Sequence, residues 1–131
     1  MARFELAVVH AAARSGRVRV GGARFKARLL PYVPEYLKML AFAESVLLEL
    51  REHDFMKTHV YEGVEYDAYG VAISRDLQQR FGIEGLETWY LKLTMDEDED
   101  GGEVLVASLH EPEEALRRSG GTLPVRFRRT T

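Results

Sequence analysis

Five side chains that can move protons or carry positive charge lie on four predicted strands of this 131-residue sequence. They are Lys57, Tyr66, Tyr90, Lys92 and His110. Such a set suits the cleavage of a phosphodiester by a neighbouring 2′-hydroxyl, in which a base removes the hydroxyl proton and an acid protonates the leaving 5′-oxygen. Cations stabilise the negative charge that builds up on the phosphate. Lysine supplies the cation here, and histidine or tyrosine can supply the acid or the base.

Each of these residues also has an ordinary structural explanation. Lysine on an exposed strand face is most often a solubilising charge. Tyrosine is common in strands because its ring packs well on a pleated surface. The residue types alone therefore leave open whether this is the wall of a catalytic site or a solvated sheet face.

The sequence excludes several other chemistries. It contains no cysteine, which rules out thiolate nucleophiles, thiolate metal sites and disulfides. It has no P-loop, no dinucleotide-binding glycine motif and no nucleophile elbow. His53 and His59 could share a strand face near Glu62, but they lack the spacing of a zinc-binding helix, and strand histidines are usually not metal ligands. We therefore expect neither a metal ion nor another cofactor.

Alternation with a period of two predicts four strands in two hairpins. Phe55–Glu62 and Val64–Val71 flank a tight Glu62-Gly63 turn. Leu86–Met95 and Glu103–His110 flank the acidic stretch "DEDEDGG". These two hairpins have to position all five candidate residues.

In the second hairpin the candidate site residues and the apolar residues lie on different faces. Its first strand carries an apolar face made of Trp89, Leu91, Leu93 and Met95. Tyr90 and Lys92 share the other face of that strand, and Ser108 and His110 share a face of the partner strand. This pattern predicts that Tyr90 and His110 lie at opposite ends of the ladder, so that a third strand has to bring Lys57 or Tyr66 close.

Helical periodicity predicts the elements that cover the sheet. The predicted helices span Phe4–Ser15, Glu35–Arg51, a short segment that Ser74 caps and Gly82 closes, and Pro112–Ser119. The segment Arg17–Leu30 is ambiguous, and Leu123–Thr131 reads either as an edge strand or as an arm. No linker or repeat divides the chain, so we expect a single domain over residues 1–131. Helices segregated from strands predict an α+β fold with an antiparallel sheet packed against N-terminal helices.

The charges are unevenly distributed. The net charge is −3, but Asp96–Glu103 alone contains six acidic residues, and the remainder has 18 basic against 15 acidic residues. Basic residues cluster in Arg17–Arg28 and again at Arg126, Arg128 and Arg129. A basic surface is compatible with nucleic-acid contact without requiring it. The apolar N-terminal run is too short to span a bilayer and contains charges, so we expect a cytoplasmic protein without membrane contact.

The order of several motifs resembles the motility quorum-sensing regulator (MqsR) family of bacterial toxins, relatives in fold of the RelE-type messenger-RNA interferases. The motifs are "RSGRVRV", "LELREHDFMKT", "EYDAY", "WYLKLTM" and "EVLVASLHE". The resemblance covers about residues 4–111, and 112–131 form a C-terminal extension. It implies a RelE/MqsR-like fold and a metal-independent endoribonuclease that cleaves single-stranded messenger RNA. It also implies a cognate antitoxin protein as partner, typically a DNA-binding repressor.

The resemblance also implies roles for individual residues. Lys57 falls at the catalytic lysine of the family and would stabilise the phosphate, and Tyr90 falls at its catalytic tyrosine. Tyr66 replaces a family glutamine, and His110 replaces a family lysine with a group that can act as base or acid near neutral pH. The remaining residues expected to bind RNA are Lys92, Arg126, Arg128 and Arg129.

Two other classes of function stay open. One is a non-catalytic relative of the same fold that binds RNA or a protein partner, favoured by Tyr66 in place of glutamine. The other is a structural or immunity-type partner protein that uses the acidic stretch Asp96–Glu103 as its interaction surface.

Overall fold

The computed structural model describes residues 1–96 and 102–124. Within these ranges the chain forms a five-stranded sheet, a separate two-stranded ribbon and four α-helices. In chain order the elements are α1 (Leu6–Arg14), β1 (Val18–Val20), α2 (Ala23–Leu29), α3 (Tyr36–Glu49), β2 (Phe55–Tyr61), β3 (Val64–Ala72), α4 (Arg75–Arg80), β4 (Thr88–Asp96), β5 (Glu103–His110), β6 (Leu116–Arg118) and β7 (Gly121–Leu123). A short 3₁₀ turn, Glu52–Asp54, precedes β2. The architecture is mixed α and β, as the predicted order of helices and strands indicates.

The five-stranded sheet has the order β1-β5-β4-β3-β2. The three pairs among β2, β3, β4 and β5 are antiparallel, as predicted. β1 differs from the prediction because it pairs with β5 in parallel, with Val18 opposite Val104. Antiparallel neighbours can be joined by short turns, whereas parallel neighbours need long connections, and most of the chain lies between β1 and β5.

The first hairpin follows the prediction closely. Glu62 and Gly63 form its two-residue turn, with φ angles of 50° and 78°. Positive φ at both central positions is the signature of a type I′ turn, which matches the twist of antiparallel strands. The turn fixes the register in which His59 lies opposite Tyr66.

One face of the sheet packs against α1 and α3 to form the core. The inward residues of β3 and β4 are almost fully buried: Tyr69, Val71, Trp89, Leu91 and Leu93. Phe42 of α3 meets the Trp89 ring edge-on, with 5.1 Å between the ring centroids. The predicted apolar face of β4 is therefore confirmed, and we call the opposite face of the sheet, which carries the candidate residues, the site face.

Most predicted helices are present with small changes at their ends. α1 and α3 lie within Phe4–Ser15 and Glu35–Arg51. Ser74 caps α4 as predicted, since its Oγ accepts a hydrogen bond from the Leu77 N–H at 3.2 Å. Across the described ranges, no helix has the length and apolar character needed to cross a membrane.

The structure resolves one ambiguous segment and overturns one predicted helix. The ambiguous segment Arg17–Leu30 contains β1 and the helix α2. The predicted helix Pro112–Ser119 is wrong, because this segment carries β6, which pairs with β7. Leu116 is buried and Arg118 binds the buried Asp54, so tertiary contacts override the local helical propensity.

Candidate functional site

Strand pairing brings four of the five candidate residues into two adjacent rows on the site face. Lys57 lies opposite Ala68, Ala68 opposite Lys92, and Lys92 opposite Ser108. In the next row Tyr90 lies opposite His110. Directly opposite residues share a face and lie within side-chain reach.

The prediction that Tyr90 and His110 lie at opposite ends of their ladder is wrong. They are direct partners, and their rings stack with 5.1 Å between centroids and 27° between planes. The reason is geometric: in a hairpin, the beginning of the first strand and the end of the second both lie at the open end. No third strand is needed to bring the two residues together.

A bulge near the start of β2 turns Lys57 toward the site face. Phe55 pairs with Tyr69 on the core side, with 5.8 Å between their rings. In a regular strand, residues two apart point the same way, so Lys57 would follow Phe55 into the core. The register instead shifts between these two residues, and Lys57 pairs with Ala68. The extra residue moves the lysine to the opposite face.

A second bulge does the same for His110. Val106 is fully buried in the core, and His110 lies an even number of residues further along β5. Strict alternation would therefore bury the histidine on the core side. The register shifts at Ala107, which has no partner in β4, and His110 then pairs with Tyr90 on the site face. The two bulges thus bring both groups into one site.

Two adjoining cavities of about 350 and 400 Å³ form a cleft over this face. Arg28, Tyr90 and His110 line both of them. Lys57 and His59 complete the first cavity, together with the segment 112–116. The second cavity is completed by Arg24 and Phe25 of α2, by Lys92, and by residues 107–109. The cleft therefore contains cations, a phenol and two imidazoles.

His110 is held in the state that a general base requires. Burial lowers the pKa of His110 below its ordinary value; the hydrogen bond to Glu111 and the charge of Glu113 oppose this shift, while Arg28 and Lys92 add to it. The Nδ1 atom lies 2.9 Å from the carbonyl oxygen of Glu111. Because a carbonyl only accepts, Nδ1 carries the proton of the neutral ring and the Nε2 lone pair is left to take another.

Tyr90 is held in the complementary state. Burial raises the pKa of the Tyr90 phenol above its ordinary value. The phenol is therefore protonated at neutral pH, as an unperturbed tyrosine also is, and it has a proton to donate. A neutral imidazole stacked on a protonated phenol is a base beside an acid, which is the pair that 2′-hydroxyl attack needs.

Tyr66 takes a different place from the other candidates. It lies on the site face but lines neither cavity. The Lys92 ammonium lies 5.2 Å from the centre of its ring, at cation–π distance. The geometry therefore gives Tyr66 contact with Lys92 and no direct position in the cleft.

His59 is a site residue that the sequence analysis considered only as a metal ligand and set aside. It lines the first cavity, and its buried Nε2 has no hydrogen-bond partner in the ranges 1–96 and 102–124. Burial lowers the pKa of His59, and the charges of Lys57 and Lys92 lower it further. The sequence does contain a signal for this position: His59 lies two residues after Lys57, and residues two apart in a strand share a face. The described residues contain no group of three or more side chains that could hold a metal ion.

The C-terminal segment forms a wall of the cleft, which the sequence pattern also missed. Leu116 packs over Gly70, where an added Cβ would approach the leucine to 3.0 Å. Arg118 Nη1 lies 2.6 Å from Asp54 Oδ1, and the Gly120 N–H donates to the carbonyl of His53 at 2.8 Å. These contacts fix the β6–β7 ribbon against β2 and β3.

Of the four residues predicted to bind RNA, the structure describes one. Lys92 lines the second cavity. Arg126, Arg128 and Arg129 lie outside the described residues, as does most of the acidic stretch, residues 97–101.

No protein-family model matches the sequence, and no curated protein matches it significantly. Function has to be inferred from the cleft and from the order of the motifs.

Proposed function

We propose that this protein is a toxin-type endoribonuclease that cleaves single-stranded messenger RNA by attack of a 2′-hydroxyl on its neighbouring phosphate, without a metal ion. The observation that carries the proposal is the stacked pair of Tyr90 and His110 in a cleft that also contains lysines. Base, acid and cations lie within one cleft, as the reaction requires. The motif order that resembles the MqsR toxins supports the same chemistry.

In the proposed reaction His110 Nε2 removes the proton of the 2′-hydroxyl. The 2′-oxygen then forms a bond to phosphorus, and the bond from phosphorus to the 5′-oxygen breaks. Tyr90 donates its phenolic proton to that leaving oxygen. The products are a 2′,3′-cyclic phosphate and a free 5′-hydroxyl, and proton return from His110 to Tyr90 through water restores the enzyme.

The two lysines of the cleft act on the phosphate. Lys57 lines the cavity that contains Tyr90 and His110, where an ammonium can bind the non-bridging oxygens. Lys92 lines the adjoining cavity and is held beside Tyr66, so it binds the strand next to the scissile bond. A cognate antitoxin that covers this cleft, and a cytoplasmic location, belong to the same proposal.

The test is cleavage of a long single-stranded RNA by the pure protein in excess EDTA. We expect loss of roughly 10²–10⁴-fold in rate for His110→Ala, the range for a general base or acid. Tyr90→Phe and Lys57→Ala should also lose most activity. Lys38→Ala is the matched control because it removes an exposed lysine of α3 that pairs with Glu35 at 3.7 Å. The cleaved RNA should carry cyclic phosphate ends.

A different outcome would favour the alternative function. If the wild-type protein binds RNA but leaves it intact, the chain is a non-catalytic binding relative of the same fold. The observation that favours this alternative is the position of Tyr66, which stands in for the family glutamine and lines neither cavity. Cleavage that the His110→Ala and Tyr90→Phe variants retain would contradict the proposed mechanism and point to a contaminating nuclease.

A further inference from the structure

The helix α2 presents two arginines to the cleft. Arg24 and Arg28 are four residues apart, so they lie on one face of the helix. Arg28 lines both cavities, next to Tyr90 and His110, and Arg24 lines the second cavity only. Lys26 of the same helix points elsewhere, since its ammonium lies 4.7 Å from the centre of the Tyr36 ring. Arg24 and Arg28 therefore both face the cleft and follow one another along it.

Arg28 is bound by a carboxylate from the C-terminal extension. Its Nη2 lies 2.9 Å from Glu113 Oε1. The Tyr32 hydroxyl donates to the carboxylate of the neighbouring Glu111, which fixes the start of this segment beside α2. A carboxylate and a phosphate make the same kind of contact with guanidinium, because the anionic oxygens of either group accept hydrogen bonds from its N–H groups. Glu113 thus occupies a position that suits a phosphate group.

The ion pair is built so that it can open. The side chain of Glu113 is 84% exposed, whereas that of Arg28 is 37% exposed. An exposed pair of this kind contributes little to stability because water and salt screen it. An anion that enters the cleft can therefore displace Glu113 while Arg28 stays in place.

We propose that Arg24 and Arg28 bind successive phosphates of the RNA strand, and that Glu113 occupies the phosphate position on Arg28 until RNA displaces it. The inference rests on the proposed function for the chemical class of the ligand, a single-stranded RNA. It assigns a phosphate-binding role to two residues of α2 and a competing role to one residue of the C-terminal extension. The extension then sets the affinity of the cleft for RNA.

The charge environment of His110 supports this arrangement. Three charged groups shift the pKa of His110: Arg28 from α2, Lys92 from β4 and Glu113 from the segment after β5. Arg28 lowers the pKa of His110 and Glu113 raises it, because their charges are opposite and both lie close enough to the imidazole to act on it. A phosphate bound at Arg28 is therefore next to the proposed base.

The experiment measures binding of a short 2′-O-methyl RNA, which lacks the attacking hydroxyl and cannot be cleaved by this route. Fluorescence anisotropy of the labelled oligonucleotide is recorded over a range of salt concentrations. Arg28→Gln should weaken binding and reduce the slope of log K against log salt by about 0.7, the value for one phosphate contact on a single strand. Arg24→Gln should act in the same way.

Glu113→Gln should have the opposite effect. Removing the competing carboxylate should tighten binding by about two- to fivefold, the value of an exposed ion pair expressed as affinity. The gain should disappear in the Arg28→Gln background, because the carboxylate then has no arginine to occupy. This double-mutant comparison separates local competition from a general change in charge.

Two variants provide matched controls. Lys26→Gln removes one positive charge from the same helix, away from the cleft. Glu35→Gln removes one negative charge and an exposed ion pair with Lys38 at 3.7 Å. Both should bind the oligonucleotide within twofold of wild type. Losses for Lys26→Gln as large as those for Arg28→Gln, or a Glu113→Gln variant that binds no tighter, would overturn the inference.

The two proposals fail separately in this design. If wild type leaves natural RNA intact but Arg28→Gln and Glu113→Gln shift binding as expected, the ribonuclease fails and the phosphate site stands. If wild type cleaves RNA and these variants bind like the controls, the ribonuclease stands and the phosphate site is wrong.

Discussion

The two faces of β4 show how one strand serves two purposes. On the core face, Trp89 and Leu91 are fully buried and packed against helices and neighbouring strands. On the site face, Tyr90 and Lys92 line an open cavity together with two arginines of α2. Alternation with a period of two is enough to separate these sets within β4. Stability and chemistry are therefore assigned to residues that are adjacent in sequence.

Two other strands of the sheet depart from the strict alternation that β4 keeps. In β2 and β5, strict alternation would send Lys57 and His110 into the core, and a bulge in each strand returns them to the site face. Bulges are frequent near functional sites because they re-aim side chains. The site face is therefore built from residues of three strands, two of which contain a β-bulge.

The largest effect should come from truncating the core face. Leu91→Ala removes a fully buried side chain and should lower the free energy of unfolding by about 2–5 kcal/mol. Lys92→Ala, one residue later, should change it by less than about 0.5 kcal/mol, because its side chain lies on the partly exposed site face. Chemical denaturation of the two variants measures the difference.

The activities of these variants sharpen the same comparison. At a temperature where both are folded, Leu91→Ala should cleave and bind RNA nearly as wild type, and Lys92→Ala should bind it more weakly. If Lys92→Ala were as destabilising as Leu91→Ala, the separation of the two faces would be wrong.

A smaller effect is expected where the C-terminal ribbon is attached to the site face. Arg118→Gln leaves Asp54, which is only 5% exposed, without its guanidinium partner. Asp54 Oδ2 still accepts the Arg51 N–H at 2.9 Å, but loss of the closest partner of the buried Oδ1 should cost about 1–3 kcal/mol. Arg117→Gln is the matched control, since Arg117 is an exposed residue of the same strand and its loss should cost less than about 0.5 kcal/mol.

Limited proteolysis measures, in the same two variants, how firmly the ribbon is held against the sheet. Arg118→Gln should expose the segment after β5 to cleavage, because the ribbon is then held mainly by Leu116 and by backbone hydrogen bonds to His53 and Phe55. Equal protection of Arg117→Gln and Arg118→Gln would show that the ion pair does not hold the ribbon.

The parts of this fold that were predictable depend on local patterns. The turn at Glu62-Gly63, the cap at Ser74 and the apolar face around Leu91 are each encoded within a few residues. The types of the candidate residues are also informative, since Lys57, Tyr90, Lys92 and His110 all line the cleft.

The parts that were missed depend on distant contacts. β1 is three residues long, and its partner β5 follows more than eighty residues later, so nothing local specifies the pairing. The ribbon at Leu116 depends on the space over Gly70, and the helical preference of the preceding residues hides it. A bulge such as that at Ala107 shows only as a register shift, which single-strand alternation does not reveal.

The smallest expected effect is the pH dependence of the free energy of unfolding that the site face contributes through its histidines. The folded pKa of His110 lies below its ordinary value of 6.5, because burial disfavours the charged ring. As the pH falls below 6.5 the unfolded chain takes up this proton before the folded one does, so the stability contributed by the neutral ring is present above pH 6.5 and lost toward lower pH. For one group the slope is at most about 1.4 kcal/mol per pH unit.

Replacement of the imidazole should flatten this dependence. His110→Asn removes the group that titrates, so its free energy of unfolding should fall less between pH 7 and pH 5 than that of wild type. His59 titrates in the same direction, and the double variant should be flatter still. Tyr90→Phe, which keeps the stacked ring, should retain the wild-type slope. Identical slopes for His110→Asn and wild type would mean that the imidazole is not held neutral by the fold, and the base in the proposed reaction would have to be sought at His59.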